Sequence, residues 1–545
     1  MKNIRFLLSL LLVAASCSTR PSAWYWERFE MDGHRTGVTV PSADNVPQAI
    51  GTVENGVYTS PNGTVFSEGS VPEVASLLIG VQPEMASLKE VVAVCPEGLV
   101  KYAPESPLSN FIVDNLRADV ARITGRRTDL AITNFGGIRC NFPKGDVLLD
   151  DVVSMLPFAN YATWLSVPGS ELRKVFTFMA ENGPQCVSGA ELVFRDGKLI
   201  SAKIGGRPLD DKRLYGLATI DFLVDGGDGY KLARGAREMI ITDQKIGDLI
   251  LQDVRALTAS GAELVYSTDG RVVFEKTSGN KANEQESPKG SAAPAPSGKP
   301  KLVIMHCNDT HSHFDPFPTA KGYRGGIIER AAFADSIRSV YPSRKVLFVH
   351  AGDFNQGTSY YSHLHGSLEP SIINAMRYDC ITLGNHELDN GIEDLAARLS
   401  RVECPVVCAN CEFPDTLQQF VKPYAILRRG GMKIGVIGME SNIATMVAAP
   451  IAQRIQQHDD VQTVLKWAPY LKETERCDMV ILLSHMGYDV DQAVISQVRG
   501  VDIVIGGHTH TFVKDFVYAT DLDGRRVPII TDGCWGEEMG LVKVY

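Results

Sequence analysis

The stretch Gly384-Asn385-His386-Glu387-Leu388-Asp389-Asn390 decides how this chain is read. Cys380-Ile381-Thr382-Leu383 leads into it, a short apolar, β-prone run that stops at a glycine and gives way to a polar loop. Asn385, His386 and Asp389 then crowd together. Taken alone, this is a capped turn before a helix. The arrangement recurs, however. Leu302 to Cys307 runs into Asn308-Asp309-Thr310-His311, and Val346 to Gly352 runs into Asp353. Met479 to Ser484 runs into His485-Met486-Gly487, and Val501 to Gly507 runs into His508-Thr509-His510. Each buried strand delivers Asp, Asn or His at its C-terminal end, the edge where open α/β sheets bind ligands. The combined imidazole and oxygen donors suffice for two divalent ions.

Asp-x-His, Gly-Asp, Gly-Asn-His-Glu, Ser-His-Met-Gly and Gly-Gly-His-x-His, in this order, resemble the calcineurin-like metallophosphatase superfamily. Within it, the closer resemblance is to the secreted bacterial 5′-nucleotidases, over about residues 301–545. The resemblance implies an α/β domain built as a four-layer α-β-β-α sandwich. It implies two metals sharing Asp353, with Asp309, His311 and His510 completing one site and Asn385, His485 and His508 the other. Such ions, about 3.5–4 Å apart, activate a water and neutralise phosphoryl oxygens. Mixed N/O ligands suit Mn, Zn, Co, Fe or Mg. His386 is implied beside the metals, stabilising the charged transition state or assisting the leaving oxygen, with Asp389 fixing its tautomer. His306, His313, His350, His363, His365 and His458 are left without a role.

The 545 residues suggest several domains. A formal charge of −10 argues against a general nucleic-acid binder, which carries a basic patch. Residues 1–16 read as an export signal: Lys2 and Arg5 precede an apolar run that is too short to span a membrane. Ala14-Ala15-Ser16 before Cys17 resembles a lipobox, so a lipid anchor on Cys17 is expected, in the outer membrane by the family pattern of sorting. The alternative is an ordinary signal peptide cut nearby. The 11 cysteines lack the density of a disulfide scaffold. Cys404, Cys408 and Cys411 read as small apolar residues around a buried strand rather than as a zinc knuckle, which normally takes four ligands. Arg428-Arg429-Gly430-Gly431 reads as a turn between strands.

Residues 17–84 offer no chemistry. Trp24, Tyr25 and Trp26 look like packing anchors, and Asn55-Gly56 and Asn62-Gly63 like hairpin turns. From Glu105-Ser106-Pro107-Leu108 a helix is expected to run to Gly125, followed by a strand over Asp129 to Thr133. Glu-Ser-Pro-Leu, Gly-Gly-Ile-Arg, Leu-Pro-Phe and Gly-Gly-Asp-Gly-Tyr, in order, resemble the substrate-binding domain of the same 5′-nucleotidases, over 85–276, an α+β domain. On their own these segments are turns with a structural arginine and core phenylalanines. The resemblance implies that Arg139 holds phosphate, Phe158 and Phe222 sandwich the base, and Asp228 touches the ribose, with Asn385 also near the substrate. A guanidinium fork suits phosphate, and two ring faces accept any flat base.

Two features depart from the family pattern. The substrate domain precedes the phosphatase domain instead of following it. Lys101-Tyr102-Ala103-Pro104 stands where the family supplies further arginines. Residues 277–300, rich in Ser, Gly, Ala, Pro and Lys, read as a flexible linker reaching roughly 25–30 Å. The function expected is metal-dependent hydrolysis of nucleoside 5′-monophosphates at the cell envelope. Nucleotide-sugar or 2′,3′-cyclic nucleotide hydrolysis is one alternative, and a non-catalytic nucleotide-binding lipoprotein is another.

Overall fold

The structure, a computed structural model, describes residues 24–275, 298–319 and 321–545. The leader, Cys17 and most of the linker lie outside these residues. Two sheets stack face to face in the C-terminal half. The first has seven strands in the order Trp24–Glu30, Glu538–Val544, Leu302–Cys307, Val346–Ala351, Cys380–Thr382, Val406–Val407 and Val421–Lys422. The second has six, with Met432–Met439, Met479–Ser484, Ile503–Gly506 and Arg526–Ile530 side by side and parallel. Ile304, Val349, Val436, Ile481 and Ile505 fill the space between the sheets. Helix Ile327–Val340 packs Ala331 and Phe333 on the outside of the first sheet, and Val464, Ala468 and Ile495 cover the outside of the second. Parallel strands covered on both faces must be apolar on both, which explains the unbroken apolar runs before each motif. The four layers are the α-β-β-α sandwich.

The segment before residue 90 belongs to this half, although nothing local in its sequence announces it. Trp24–Glu30 pairs antiparallel with Glu538–Val544, with Trp24 opposite Val544 and Glu30 opposite Glu538. Phe29 lies 4.9 Å from Phe333, ring to ring. Helix Val71–Met85 buries Val74, Ala75 and Leu78 in the core that holds Ala331 and Ile372. Arg35 and Thr36 bond Glu329 at 2.8 and 2.7 Å. The Asn55-Gly56 turn, with φ of 52° and 78°, joins Thr52–Glu54 to Val57–Thr59.

Residues 91–275 form a second body with its own core, including Ile112, Leu116, Ile132, Phe176, Leu217 and Ile250. Its five-stranded sheet runs Glu238–Lys245, Tyr161–Pro168, Leu214–Ile220, Leu130–Thr133, Cys186–Ser188. Helix Pro107–Thr124 starts where the Ser106 hydroxyl accepts the Ser109 N–H at 3.1 Å, and ends at Gly125, φ 63°. In the C-terminal half, Cys408 and Cys411 are buried and Cys404 is half-buried around strand Val406–Val407. No candidate metal cluster among the described residues includes a cysteine. Gly430 and Gly431 close a hairpin, and Arg429 is paired with Asp379.

Candidate active site

At the C-terminal edge of the two sheets the strand ends bring two groups together: Asp309, His311 and His510, and Asp353, His485 and His508. His311 Nε2 lies 3.0 Å from His510 Nε2 and 3.7 Å from Asp353 Oδ2. His485 Nε2 lies 3.0 Å from Asp353 Oδ2 and 3.8 Å from Asp309 Oδ1, so each carboxylate faces both groups. Asp309, His311, Asp353, His508 and His510 all take left-handed backbone conformations, φ between 47° and 76°. Such strain persists only where the surroundings over-determine it. Two glycines allow the crowding: a Cβ on Gly384 would stand 2.3 Å from Asp353 Oδ1, and one on Gly507 2.8 Å from Asp309 Oδ2.

The donor set suits a divalent cation. Asn385 Oδ1 is buried without a hydrogen-bond partner. His311 Nδ1 is bonded to Gln356 O at 2.8 Å and His485 Nδ1 to Ala351 O at 2.7 Å, which leaves each Nε2 as the nitrogen that could hold a metal ion. Burial and Arg139 push His311 well down, and burial and His485 push His508 down to about 4, so both rings are neutral with a lone pair to offer. Against burial, His485 and His386 hold the Asp353 carboxyl well below its ordinary value. His485 is the exception. Asp353 and Asp309 raise it against burial, and it must release a proton to ligate.

Two supporting residues stand inside the quoted motifs without a role assigned from the sequence. Glu387 accepts the N–H groups of Gly384, Asp353 and Asn355 at 2.6, 2.9 and 3.0 Å, tying two ligand loops together. Asn308 donates to Asp309 Oδ2 at 2.6 Å and to Gly533 O at 2.6 Å. A hydrogen-bonding side chain within two residues of each candidate ligand is the signal that could have found them.

His386 sits beside the ligands. Its backbone N–H donates to Asp353 Oδ1 at 3.0 Å and its Nδ1 to Asp389 Oδ2 at 2.9 Å. Burial lowers its pKa, but Asp389 and Asp353 outweigh that, so the ring is held above its ordinary value. A positioned imidazolium of this kind donates a proton or stabilises developing negative charge.

The body of residues 91–275 closes over this edge. Arg139 Nη2 reaches to 2.8 Å from His311 Nε2, and its guanidinium lies 5.7 Å from the Phe158 ring centre. Phe158 stacks on His386 at 5.4 Å. Phe222 packs on Gly227, where a Cβ would stand 2.4 Å from the ring. Asp228, left-handed at φ 52°, accepts from Asn134 Nδ2 at 2.8 Å, and burial raises its pKa. Arg139, Phe158, Phe222, Asp228, Asn385 and His386 all line one cavity of about 770 Å³. His365, given no role from the sequence, lines it too. His306, His313 and His350 are spoken for elsewhere: His306 pairs with Asp532 at 2.7 Å, His313 stacks on Trp535 at 5.1 Å, and His350 bonds Thr310 at 3.0 Å.

Residues 302–512 match the family model for calcineurin-like phosphoesterases, and residues 91–234 match the model for the 5′-nucleotidase C-terminal domain. The chain is 31% identical to the 5′-nucleotidase of Bos taurus over 276 residues, 46% of this chain and 47% of that protein. It is 30% identical to the snake venom 5′-nucleotidase of Naja atra over 272 residues, 45% of this chain and 50% of that protein. The 5′-nucleotidase precursor from Thermus thermophilus aligns in structure with TM-score 0.41 and 27% identity, over 44% of this chain and 50% of that one. The chain thus spans about half the length of the relatives it matches. The match to the 5′-nucleotidase C-terminal domain comes first in the chain and the match to calcineurin-like phosphoesterases second, and the latter implies divalent metal ions.

Proposed function

We propose that this protein hydrolyses nucleoside 5′-monophosphates to nucleoside and phosphate, using two divalent ions held by Asp309, His311, Asp353, Asn385, His485, His508 and His510. The observation that carries the reading is the approach of Arg139 to 2.8 Å from His311: a guanidinium suited to phosphate, from one domain, opens into the same cavity as the candidate metal ligands of the other. Bound metal would supply Lewis acidity to the phosphoryl oxygens and a water activated at neutral pH. The chain's own residues do the rest. Arg139 grips non-bridging oxygens with its planar fork. Phe222 offers a face to the base, and Asp228 reaches the ribose. Water adds to phosphorus as the P–O5′ bond breaks, and His386, oriented by Asp389, hands the leaving oxygen its proton.

The test is release of inorganic phosphate by purified protein from a panel of nucleoside monophosphates, nucleotide sugars and 2′,3′-cyclic nucleotides, with Mn²⁺, Zn²⁺, Co²⁺, Fe²⁺ or Mg²⁺ added singly. Hydrolysis of the monophosphates, abolished by chelation, supports the reading. Preference for another class replaces it. We further propose that the protein is exported and acylated at Cys17. A Cys17→Ala protein then leaves the membrane fraction and takes up no labelled fatty acid.

A further inference from the structure

Arg139 is aimed by backbone rather than by a carboxylate. It forms no ion pair among the described residues, its Nε has no hydrogen-bond partner, and within its own domain the side chain makes one hydrogen bond, of 3.5 Å to Gly136 O, besides lying over the Phe158 ring. Its direction therefore depends on the shape of the loop from Asn134 to Arg139. The Phe135 N–H donates to Gln185 Oε1 at 2.9 Å and the Ile138 N–H to Phe135 O at 3.2 Å, and three further contacts set that shape. The Arg139 N–H donates to Met155 O at 2.9 Å. The other two come from Lys101, whose Nζ donates to Ile138 O at 2.5 Å and Phe135 O at 3.4 Å. Lys101 is itself fixed: its N–H donates to Asn141 Oδ1 at 2.8 Å, and Leu99 and Phe142 exchange backbone bonds of 3.2 and 3.0 Å just beyond.

We infer that Lys101 is a positioning residue for phosphate recognition: it pins the carbonyls of Phe135 and Ile138, so fixing the reach of Arg139, and places a second positive charge behind it. The inference rests on the function proposed above. One observation adds to the geometry. Burial, and then the neighbouring Arg139, push Lys101 down to about 8, so the two cations repel each other while Lys101 still carries its charge at neutral pH. A dianionic phosphate relieves that repulsion on binding, so the pair favours an anion more than either cation would alone.

The experiment uses the full chain loaded with metal and takes inorganic phosphate as the probe. Its binding is measured by calorimetry and, separately, as competitive inhibition of AMP hydrolysis. Lys101→Met is expected to weaken phosphate binding about tenfold, within the range for residues coupled by contact. KM for AMP should rise in parallel with kcat nearly unchanged. Lys101→Arg, whose fork still reaches both carbonyls, is expected to restore phosphate affinity. If Lys101→Met does not fold by thermal melt, Lys101→Gln replaces it with the same expectation. Wild-type phosphate affinity in folded Lys101→Met, or equal damage from Lys101→Arg, overturns the inference. If the wild type binds phosphate in a Lys101-dependent way but releases none from AMP, the nucleotidase reading falls and the positioning role stands. If the wild type cleaves AMP and the variant binds phosphate normally, the positioning role falls alone.

Discussion

Trp24 stands opposite Val544 in an antiparallel pair, so the first described strand of the chain and its last are neighbours. The phosphatase body is therefore assembled from both ends of the chain, and residues 91–275 leave it and return to it. The family resemblance implies the opposite domain order, and this adjacency explains how both orders can give one architecture. Joining residue 545 to residue 24 by a short turn, and opening the chain between 276 and 297, should yield a rearranged protein that folds with the same metal content. Termini that lie together tolerate such permutation. Circular dichroism and elemental analysis check it, and a rearranged chain that fails to bind metal contradicts the adjacency.

Leu78 is fully buried in the core shared with Ala331, so Leu78→Ala should destabilise the phosphatase body by about 2–5 kcal/mol, as core truncations do. Urea unfolding should show the loss. An effect below about 0.5 kcal/mol, the level of a surface change, would mean that residues 24–89 are an appendage.

Why is this segment opaque in the sequence while the metal edge is plain? Each ligand follows directly on an apolar strand, so a short window contains both the strand and its chemistry, as in Val346–Ala351 before Asp353. The pairing of the first strand is of another kind: Arg28 meets Glu538 across 510 residues, and no local window records it. Trp24 and Trp26 signal packing but not the partner. The same holds between the bodies. Phe158 can be read as a base-stacking ring, yet its contact with His386 depends on how two domains close. Lys101 looks only like a missing arginine, because its role lies in backbone carbonyls that carry no sequence signature.

Asp353 faces both ligand groups, so Asp353→Ala should lose metal and activity together, measured by elemental analysis and phosphate release. His386→Ala should keep its metal while turnover falls by about 10²–10⁴-fold, the usual contribution of a positioned acid or base. Retention of metal by the first variant, or normal turnover by the second, would overturn the assigned roles.

The two aromatic residues should separate in kinetics. Phe222 lines the cavity without stacking on His386, so Phe222→Ala should raise KM for AMP and leave an aryl phosphate little affected. Phe158 stacks on His386 and lies under Arg139, so Phe158→Ala should also lower kcat, for both substrates. Identical profiles for the two variants would contradict the arrangement.

The central claim is that Arg139, from the body of residues 91–275, completes the phosphate site of the phosphatase body. The most direct measurement is kcat/KM for AMP with metal-loaded wild-type and Arg139→Ala proteins, both checked for metal content. Metal content should be unchanged and kcat/KM should fall by about 30-fold or more, equivalent to about 2 kcal/mol, the lower end for removing one partner of a buried charged pair. Arg139→Ala protein that hydrolyses AMP as efficiently as the wild type would contradict it.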